Sequence, residues 1–554
     1  MTPDRLNRYR QRVFAERVGL QQALCDATAH QRKVLADLLA FNADTDFGRT
    51  HGFGRIRTTA EFRKAVPISE YAGLEPWIER AAAGEHNVLT ADDPALYFTS
   101  SGSTGAHKKI PVTPAFMRTT FFPFYYAAWA PMAELFPEVL SRPDAVLNLK
   151  HDPLPVVART ASGHSHLGAS QVDFGEVFGE PLSAEPGTDA SWARLPTHVD
   201  PADHMEKMYL RLRRAIEGDV RCVIGINPAM VAAVTYQLVV WWERLVRDVR
   251  DGTAGGLPYT TPNPARAAEL VGLARQFGTV RPAHVWPNLR VIFCWTTGLA
   301  SLYLPRLREE FGAGVSVLPA PVAASEGPVG VTLDRHADAG SLVVTAAVYE
   351  FVPADEVLVP DSTTLAAHEL EPGAEYHVVF SHIGGLYRYA VGDVVRVADM
   401  TAGVPRLSYA GRAATSNVAG EALRESQVIR ALAHALASGG LEVRNAACRA
   451  HPAGGQTPRY EFVVAPRNPW TKAEIGLFTG RLDDALGAVA PRYRQVRATG
   501  ALAPLTVRTL PDDSFLHDWH DRVAAGVRPA QVKDRLVHRD LASWQKLLDK
   551  DGHG

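Results

Sequence analysis

The stretch YFTSSGSTGAHKKIPVT, from Tyr97 to Thr113, sets serine and threonine hydroxyls, two glycines and two adjacent lysines directly after a short apolar run. Small residues let a backbone approach an anion while amides, hydroxyls and an ammonium face its oxygens, so the chemistry on offer is phosphate binding. The same composition also makes a polar surface turn. The nucleotide-binding pattern G-x-x-x-x-G-K-[ST] is not satisfied, because His107 stands five residues after Gly102 and no suitable hydroxyl follows a lysine, which argues against a P-loop triphosphatase. A second group that could do chemistry, the His-x-His pair of GHSHLG (163–168), has no evident third ligand and is read as structural.

The whole chain bounds what such a loop can serve. Its 554 residues allow two or more domains, and 46% hydrophobic residues suffice for sizeable cores. Lys plus Arg (58) nearly balance Asp plus Glu (60), so a net charge of -2 gives no general attraction to nucleic acid or anionic membrane, and any anion site must be local. Cys25, Cys222, Cys294 and Cys448 are far apart, with no zinc-like spacing, and read as four buried thiols in a reducing compartment. No segment reaches the ~18 to 20 apolar residues of a spanning helix. The N-terminal stretch is broken by charge every few residues, so a cytoplasmic protein is expected.

The elements that must position the loop are legible in outline. Apolar spacing from Leu6 to Leu39 suits one or two amphipathic helices. DAVLNLKH (144–151), RCVIGIN (221–227) and LRVIFCWTTG (289–298) read as buried strands, alternating with helical segments at 204–217, 228–249 and 301–311. That alternation predicts an α/β fold with largely parallel sheets. From 341 to 411 successive strand-like runs predict a β-rich subdomain, and 421–437 reads as a helix. Residues 179–203 and 251–265, rich in Pro, Gly, Asp and Thr, are expected to be surface insertions. A domain boundary is placed near 411–413, giving domains 1–411 and 412–554.

Four motifs in order carry a resemblance. Ser100, Ser101, Gly102, Ser103, Thr104, Gly105 and Lys108 resemble the phosphate loop of the adenylate-forming superfamily, roughly [ST]-[ST]-G-[ST]-T-G-x-x-K. PVAASEGPVG (321–330) resembles its aromatic-x-x-[ST]-E motif, GGLYRYAVGDVVRV (384–397) its Tyr-Arg and Gly-Asp motif, and YAGRAATSNVAGEAL (409–423) its Gly-Arg hinge. Within the superfamily the chain resembles the acyl-acid amido synthetases first known as auxin-responsive proteins of plants, a family with bacterial members. The likeness covers nearly the whole chain, through VPISEYAGLEPWIERAAAG (66–84) to GVRPAQVKDRL (526–536).

The resemblance implies a large N-terminal α/β domain with a β subdomain, a small mobile α+β C-terminal domain, and an ATP- and Mg²⁺-dependent ligase. A carboxylic acid is adenylated, and an amine or amino acid then takes the acyl group, releasing AMP. It implies that the Ser100 to Lys108 loop holds the β- and γ-phosphates and that Ser325 donates to the α-phosphate. Glu326 is implied as the Mg²⁺ ligand, Asp393 and Arg412 as ribose partners, and Lys533 as the mobile catalytic lysine. Lys109 is read as the solvated neighbour of Lys108, and the aromatic run FFPFYYAAW (121–129) as acyl pocket or core. Without the resemblance, Ser325–Glu326 could cap a helix, Asp393 could be turn chemistry and Lys533 a solvated charge.

Departures accompany the match. Val322 stands where the superfamily stacks an aromatic ring on adenine, Glu421 is followed by Ala422 and Leu423 where plant relatives often carry a lysine, and Asp534 and Arg535 occupy positions often apolar and proline. An acyl-CoA ligase of the same superfamily and a non-catalytic regulator retaining the fold are the alternatives to amide synthesis. No nucleic-acid or membrane partner is expected.

Overall fold

The computed structural model describes residues 3–101, 107–179, 186–334, 338–452, 454 and 456–549, and the expectations for Gly102, Ser103, Thr104 and Gly105 lie outside them. Strands Val146–Asn148, Cys222–Ile224, Val291–Cys294 and Ser316–Pro319 form an all-parallel sheet in that spatial order. The first three are buried at every position, as continuous apolar runs covered on both faces must be. Helices His204–Ala215, Pro228–Asp251 and Leu304–Phe311 cover one face, packing with Leu147, Val223 and Ile292, while Val146, Ile224 and Phe293 on the other face join the core that holds Trp129, which stacks on Phe293; the α/β expectation holds.

A seven-stranded antiparallel sheet follows: Val322–Ala324, Gly327–Val331, Gly340–Leu342, Val404–Arg412, Leu386–Thr401, Glu375–His382 and Val348–Pro353, in that order. Its inner face shares one core with the N-terminal helices Pro3–Leu24 and Ala27–Phe41. The hairpin Leu96–Ser101 and His107–Val112 packs into the same core and is extended by Ser165–Leu167, which runs parallel to Leu96–Ser101.

After Arg412 a separate core runs from Leu423 to Leu536, built on Val443–His451, Arg459–Pro466 and Thr506–Thr509 with helices Glu425–Gly439 and Lys472–Val489. The stretch before Leu536 packs elsewhere. Leu516, Trp519 and Val523 of helix Ser514–Ala524, and Val532 beyond it, bury themselves in the core around the parallel sheet.

Three local expectations need correction, and one alternative reading falls. The helix expected from 421 begins at Glu425, because the buried Glu421 carboxylate accepts from the amides of Val418 and Ala419 and from the Tyr460 hydroxyl at 2.6 Å, while Ala422 has φ +45°. The part of the 179–203 segment that is described is not a surface insertion: Trp192 is buried and its indole N–H donates to the Val146 carbonyl at 3.1 Å. Cys25 is exposed, and only Cys222, Cys294 and Cys448 are buried. Ser325 and Glu326 cap no helix; they are the two turn residues of the hairpin whose last pair is Ala324 and Gly327.

Candidate active site

The hairpin register places Ser100 directly opposite Lys108, one on each strand flanking residues 102–106. Cross-strand partners share a face, and both reach one carboxylate. Ser100 Oγ donates to Glu326 Oε1 at 3.1 Å, and Lys108 Nζ lies 3.5 Å from the same oxygen. Lys109, one residue on, must face the other way; it pairs with Glu79 at 2.7 Å on the surface. The alternation settles which lysine enters the site.

Glu326 is held from three sides. The turn that carries it is tied to the hairpin by Ser325 Oγ, which donates to the Thr99 carbonyl at 3.2 Å. His382 Nε2 donates to the Glu326 carbonyl at 2.8 Å, while its Nδ1 accepts from Gly384 N. Those two bonds define a neutral imidazole, and burial agrees by pushing His382 down to about 4. The third support is Tyr389, whose hydroxyl accepts from Lys108 Nζ at 3.1 Å and donates to Glu326 Oε1 at 3.3 Å. Burial and the Glu326 charge push the Tyr389 phenol up, so it stays a neutral donor.

Asp393 and Arg412 face each other in register on adjacent strands, with Arg412 Nη1 donating to Asp393 Oδ1 at 2.7 Å. Gly411 precedes the arginine with φ +147°, and a Cβ there would meet Glu425 at 3.1 Å. Glu425 in turn accepts from the Arg412 amide at 2.8 Å, fixing the strand end to the following helix. Burial holds the Asp393 carboxyl above the usual range; Arg412, Lys533 and Lys108 pull it down and Glu326 pushes it up.

Lys533 reaches the same locus from the tail. Its Nζ lies 4.8 Å over the Trp295 ring, just past the C-terminal end of strand Val291–Cys294. The main chain is pinned there: Asn227 Nδ2 donates to the Val532 carbonyl at 2.7 Å and Arg522 Nη2 to that of Lys533 at 2.9 Å. Burial lowers the ammonium below the ordinary lysine value, Arg412 adds to that, and Asp393 and Glu326 oppose it. The structure thus gathers Ser100, Lys108, Ser325, Glu326, Asp393, Arg412 and Lys533. Val322 lies half-buried on the edge strand beside the turn, packed against the main core.

Two participants escape the sequence reading. Tyr389 sits inside the quoted GGLYRYAVGD run, where alternation relative to Tyr387 gives no sign that its hydroxyl bridges Lys108 and Glu326. Trp295 could have been found, because it follows the carboxyl end of an interior parallel strand, and α/β proteins bind ligands outside such ends. Among the described residues no cluster of three or more His, Cys, Asp or Glu could hold a metal ion, and the His164 and His166 rings bond Ser162 and the Lys108 carbonyl instead.

The sequence matches three profiles: the GH3 family N-terminal domain over residues 18–316, the central domain over 340–412 and the C-terminal domain over 426–541. It is 28% identical to the probable indole-3-acetic acid-amido synthetase GH3.12 of Oryza sativa subsp. japonica, across 92% of this chain and 90% of that protein. Identity to the jasmonoyl–L-amino acid synthetase GH3.5 of the same plant is 25%, across 69% and 70%. Among solved structures, the GH3.15 acyl acid amido synthetase superposes with a TM-score of 0.79 at 20% identity, over 96% of this chain and 95% of that one, which is a likeness of fold.

Proposed function

The chain belongs to the GH3 family, and we propose that it is an ATP-dependent, AMP-forming ligase that adenylates a carboxylic acid and passes the acyl group to an amine or amino acid. The observation that supports this most is the convergence of Lys108, Glu326, the Asp393–Arg412 pair and Lys533, drawn from separate stretches of chain, around the Glu326 carboxylate that Ser100 also reaches.

Adenylation brings a carboxylate oxygen onto the α-phosphorus of ATP while the bond to pyrophosphate breaks. Negative charge collects on the transferring group and must be met by fixed donors and cations. Ser100 and Lys108 flank the phosphate loop, and Lys108 is oriented by Tyr389 rather than by solvent. Glu326 fits magnesium: it offers a buried carboxylate, and Mg²⁺ takes one or two carboxylates and completes its shell with phosphate oxygens and water. When bound, the ion would neutralise phosphate charge. Asp393, ionised against Arg412, would accept from the ribose hydroxyls. Lys533 would span the attacking carboxylate and the α-phosphate, and Trp295 keeps its ammonium in place beforehand. In the second half-reaction an unprotonated amine attacks the acyl carbon, AMP leaves with the phosphate oxygen, and the amine proton passes to solvent. A hinge at Arg412 between domains 1–411 and 412–554 would let Lys533 withdraw for that step.

The test is hydroxamate formation from ATP, Mg²⁺ and hydroxylamine across a panel of carboxylic acids. Hydroxamate with one acid class, lost in Glu326→Ala, is expected. Lys533→Ala should slow adenylation by about 10²- to 10³-fold and leave transfer from a supplied acyl adenylate largely intact. No turnover with any acid together with no ATP binding by calorimetry overturns the proposal.

A further inference from the structure

Lys533 sits on a short segment, 532–538, that is tied to both halves of the molecule. At its start the Val532 carbonyl accepts from Asn227, the residue capping helix Pro228–Asp251. At its end Leu536 and His538 pair with Cys448 on strand Val443–His451, through Cys448 N to Leu536 O at 2.6 Å and His538 N to Cys448 O at 2.8 Å. Between those anchors lies Asp534, the residue after the lysine. Its Oδ2 accepts from Tyr303 Oη at 2.6 Å and from Asn445 Nδ2 at 3.0 Å, and Asn445 Nδ2 also reaches Tyr303 Oη at 3.1 Å.

The three partners come from three places. Tyr303 ends the Gly298–Tyr303 turn and belongs to the core around the parallel sheet. Asn445 is fully buried on strand Val443–His451, in the sheet that builds the C-terminal core. Asp534 is on the tail. A triangle of hydrogen bonds among them therefore crosses from one core to the other at the residue beside Lys533. Asn445 is itself held, its Oδ1 accepting from the Ala446 amide at 2.8 Å. Its side chain can present only N–H to Asp534.

We propose that Asp534 is a positioning residue for adenylation: by accepting from Tyr303 and Asn445 it locks the Lys533 segment across both cores, so that the ammonium is presented at Trp295 and the Asp393–Arg412 pair. This rests on the adenylating role of Lys533 given above. An apolar side chain at 534 fills the space but leaves Tyr303 without its acceptor and the segment held by main-chain bonds alone, from Asn227, Arg522 and Cys448. Arg522 and Asp518 are the charges that also face Asp534, one of each sign.

The experiment compares Asp534→Leu, Asp534→Asn and Tyr303→Phe in the two half-reactions separately, with amide hydrogen exchange on the full-length protein. Asp534→Leu is expected to slow adenylation about tenfold or more, the rate equivalent of stranding one buried donor, with transfer from a supplied acyl adenylate little changed. Asp534→Asn, which keeps an acceptor oxygen, should restore most of the adenylation rate. Tyr303→Phe should slow it too, and the double variant Asp534→Leu/Tyr303→Phe should be no slower than Asp534→Leu alone. Amides 533–538 should exchange faster in Asp534→Leu while those of helix Glu425–Gly439 do not. Equal loss in both half-reactions, no rescue by asparagine, or additive single effects overturns the proposal. If the unaltered protein adenylates no acid, the functional assignment fails; the exchange comparison then still decides whether Asp534 holds the segment.

Discussion

The Lys533 ammonium stands 4.8 Å over the ring of Trp295, so the cation that the tail delivers to the site meets an aromatic face at the end of the central parallel sheet. The contact links the C-terminal segment to the residue that follows Val291–Cys294, an interior strand of that sheet. It also holds a lysine whose charge burial disfavours, since a ring face stabilises the ammonium without forming an ion pair that would have to break during the reaction.

Trp295→Leu should therefore weaken adenylation without touching any phosphate contact. A partly desolvated cation–π contact is worth roughly 0.5–2 kcal/mol, or about 2- to 30-fold in rate. Trp295→Phe should recover part of the loss, because a smaller ring retains a weaker face. Single-turnover adenylation decides the matter: leucine and phenylalanine variants with equal rates would show that Trp295 contributes packing alone.

Asp393 ties activity to pH. Its carboxyl lies above the usual range because it is buried, and Arg412 is the strongest influence pulling it back. With a raised folded value, the folded protein binds this proton before the unfolded chain does. The contribution of Asp393 to stability therefore falls as pH climbs from the ordinary aspartate value, about 3.9, through the folded value. Arg412→Ala removes the 2.7 Å partner, lifts the folded value further and widens that window. Ionised Asp393 is the form that accepts from ribose hydroxyls, so the acid limb of kcat/KM for ATP should move toward neutral pH in Arg412→Ala. An unmoved limb would detach Asp393 from nucleotide binding. In Asp393→Asn the fall in melting temperature across that window should shrink.

How much of this the sequence discloses follows from which interactions are local. The parallel strands are legible because CVI (222–224) and VIFC (291–294) are uninterrupted apolar runs between helix-like stretches, a pattern set by burial on both faces. Helix Glu425–Gly439 is misjudged at its start because the Glu421 side chain caps a loop through Tyr460, a partner no window of sequence contains. Trp192 lies in a stretch whose Pro, Gly and Asp content reads as loop; it is buried all the same, because a carbonyl 46 residues earlier accepts its N–H. In the site, residue types mark Glu326, Asp393 and Lys108. The bridging role of Tyr389 and the seat of Lys533 depend on the sheet register and on Asn227 and Arg522, which only the fold brings near.

The two adjacent lysines should separate cleanly. Lys109 pairs with Glu79 where both side chains are partly exposed, and such a pair contributes about 0–1 kcal/mol. Lys108 instead faces Glu326 and Tyr389 inside the site, where a hydrogen bond to a charged group is worth about 1.5–3 kcal/mol, or roughly 10- to 100-fold. Lys108→Ala is thus expected to raise KM for ATP by that factor, and Lys109→Ala to leave it nearly unchanged. A reversal, with Lys109→Ala the more damaging, would mean that the strand register differs when nucleotide is bound.

Arg388 lies between Tyr387 and Tyr389 in the motif-bearing strand, yet its geometry is structural. Its Nε and Nη2 donate to the two oxygens of Glu350 at 2.9 and 3.1 Å, and Nη1 donates to the carbonyls of Arg63 and Val66 at 2.9 and 2.8 Å. Glu350 has no exposed surface and is completed by Thr364 and Arg63 at 2.6 and 2.8 Å. Removing the arginine leaves a buried carboxylate short of two donors, a loss of about 3–5 kcal/mol in buried pairs broken on one side. Arg388→Ala should lower the thermal unfolding midpoint sharply, and adding Glu350→Leu should restore part of it by removing the stranded charge. Below the new midpoint, where the fold is intact, KM for ATP should stay close to that of the unaltered protein, because no Arg388 atom bonds Glu326, Lys108, Asp393 or Lys533. A large KM effect at low temperature would show instead that the pair transmits its geometry to Tyr389, the next residue on the strand, and through it to the site.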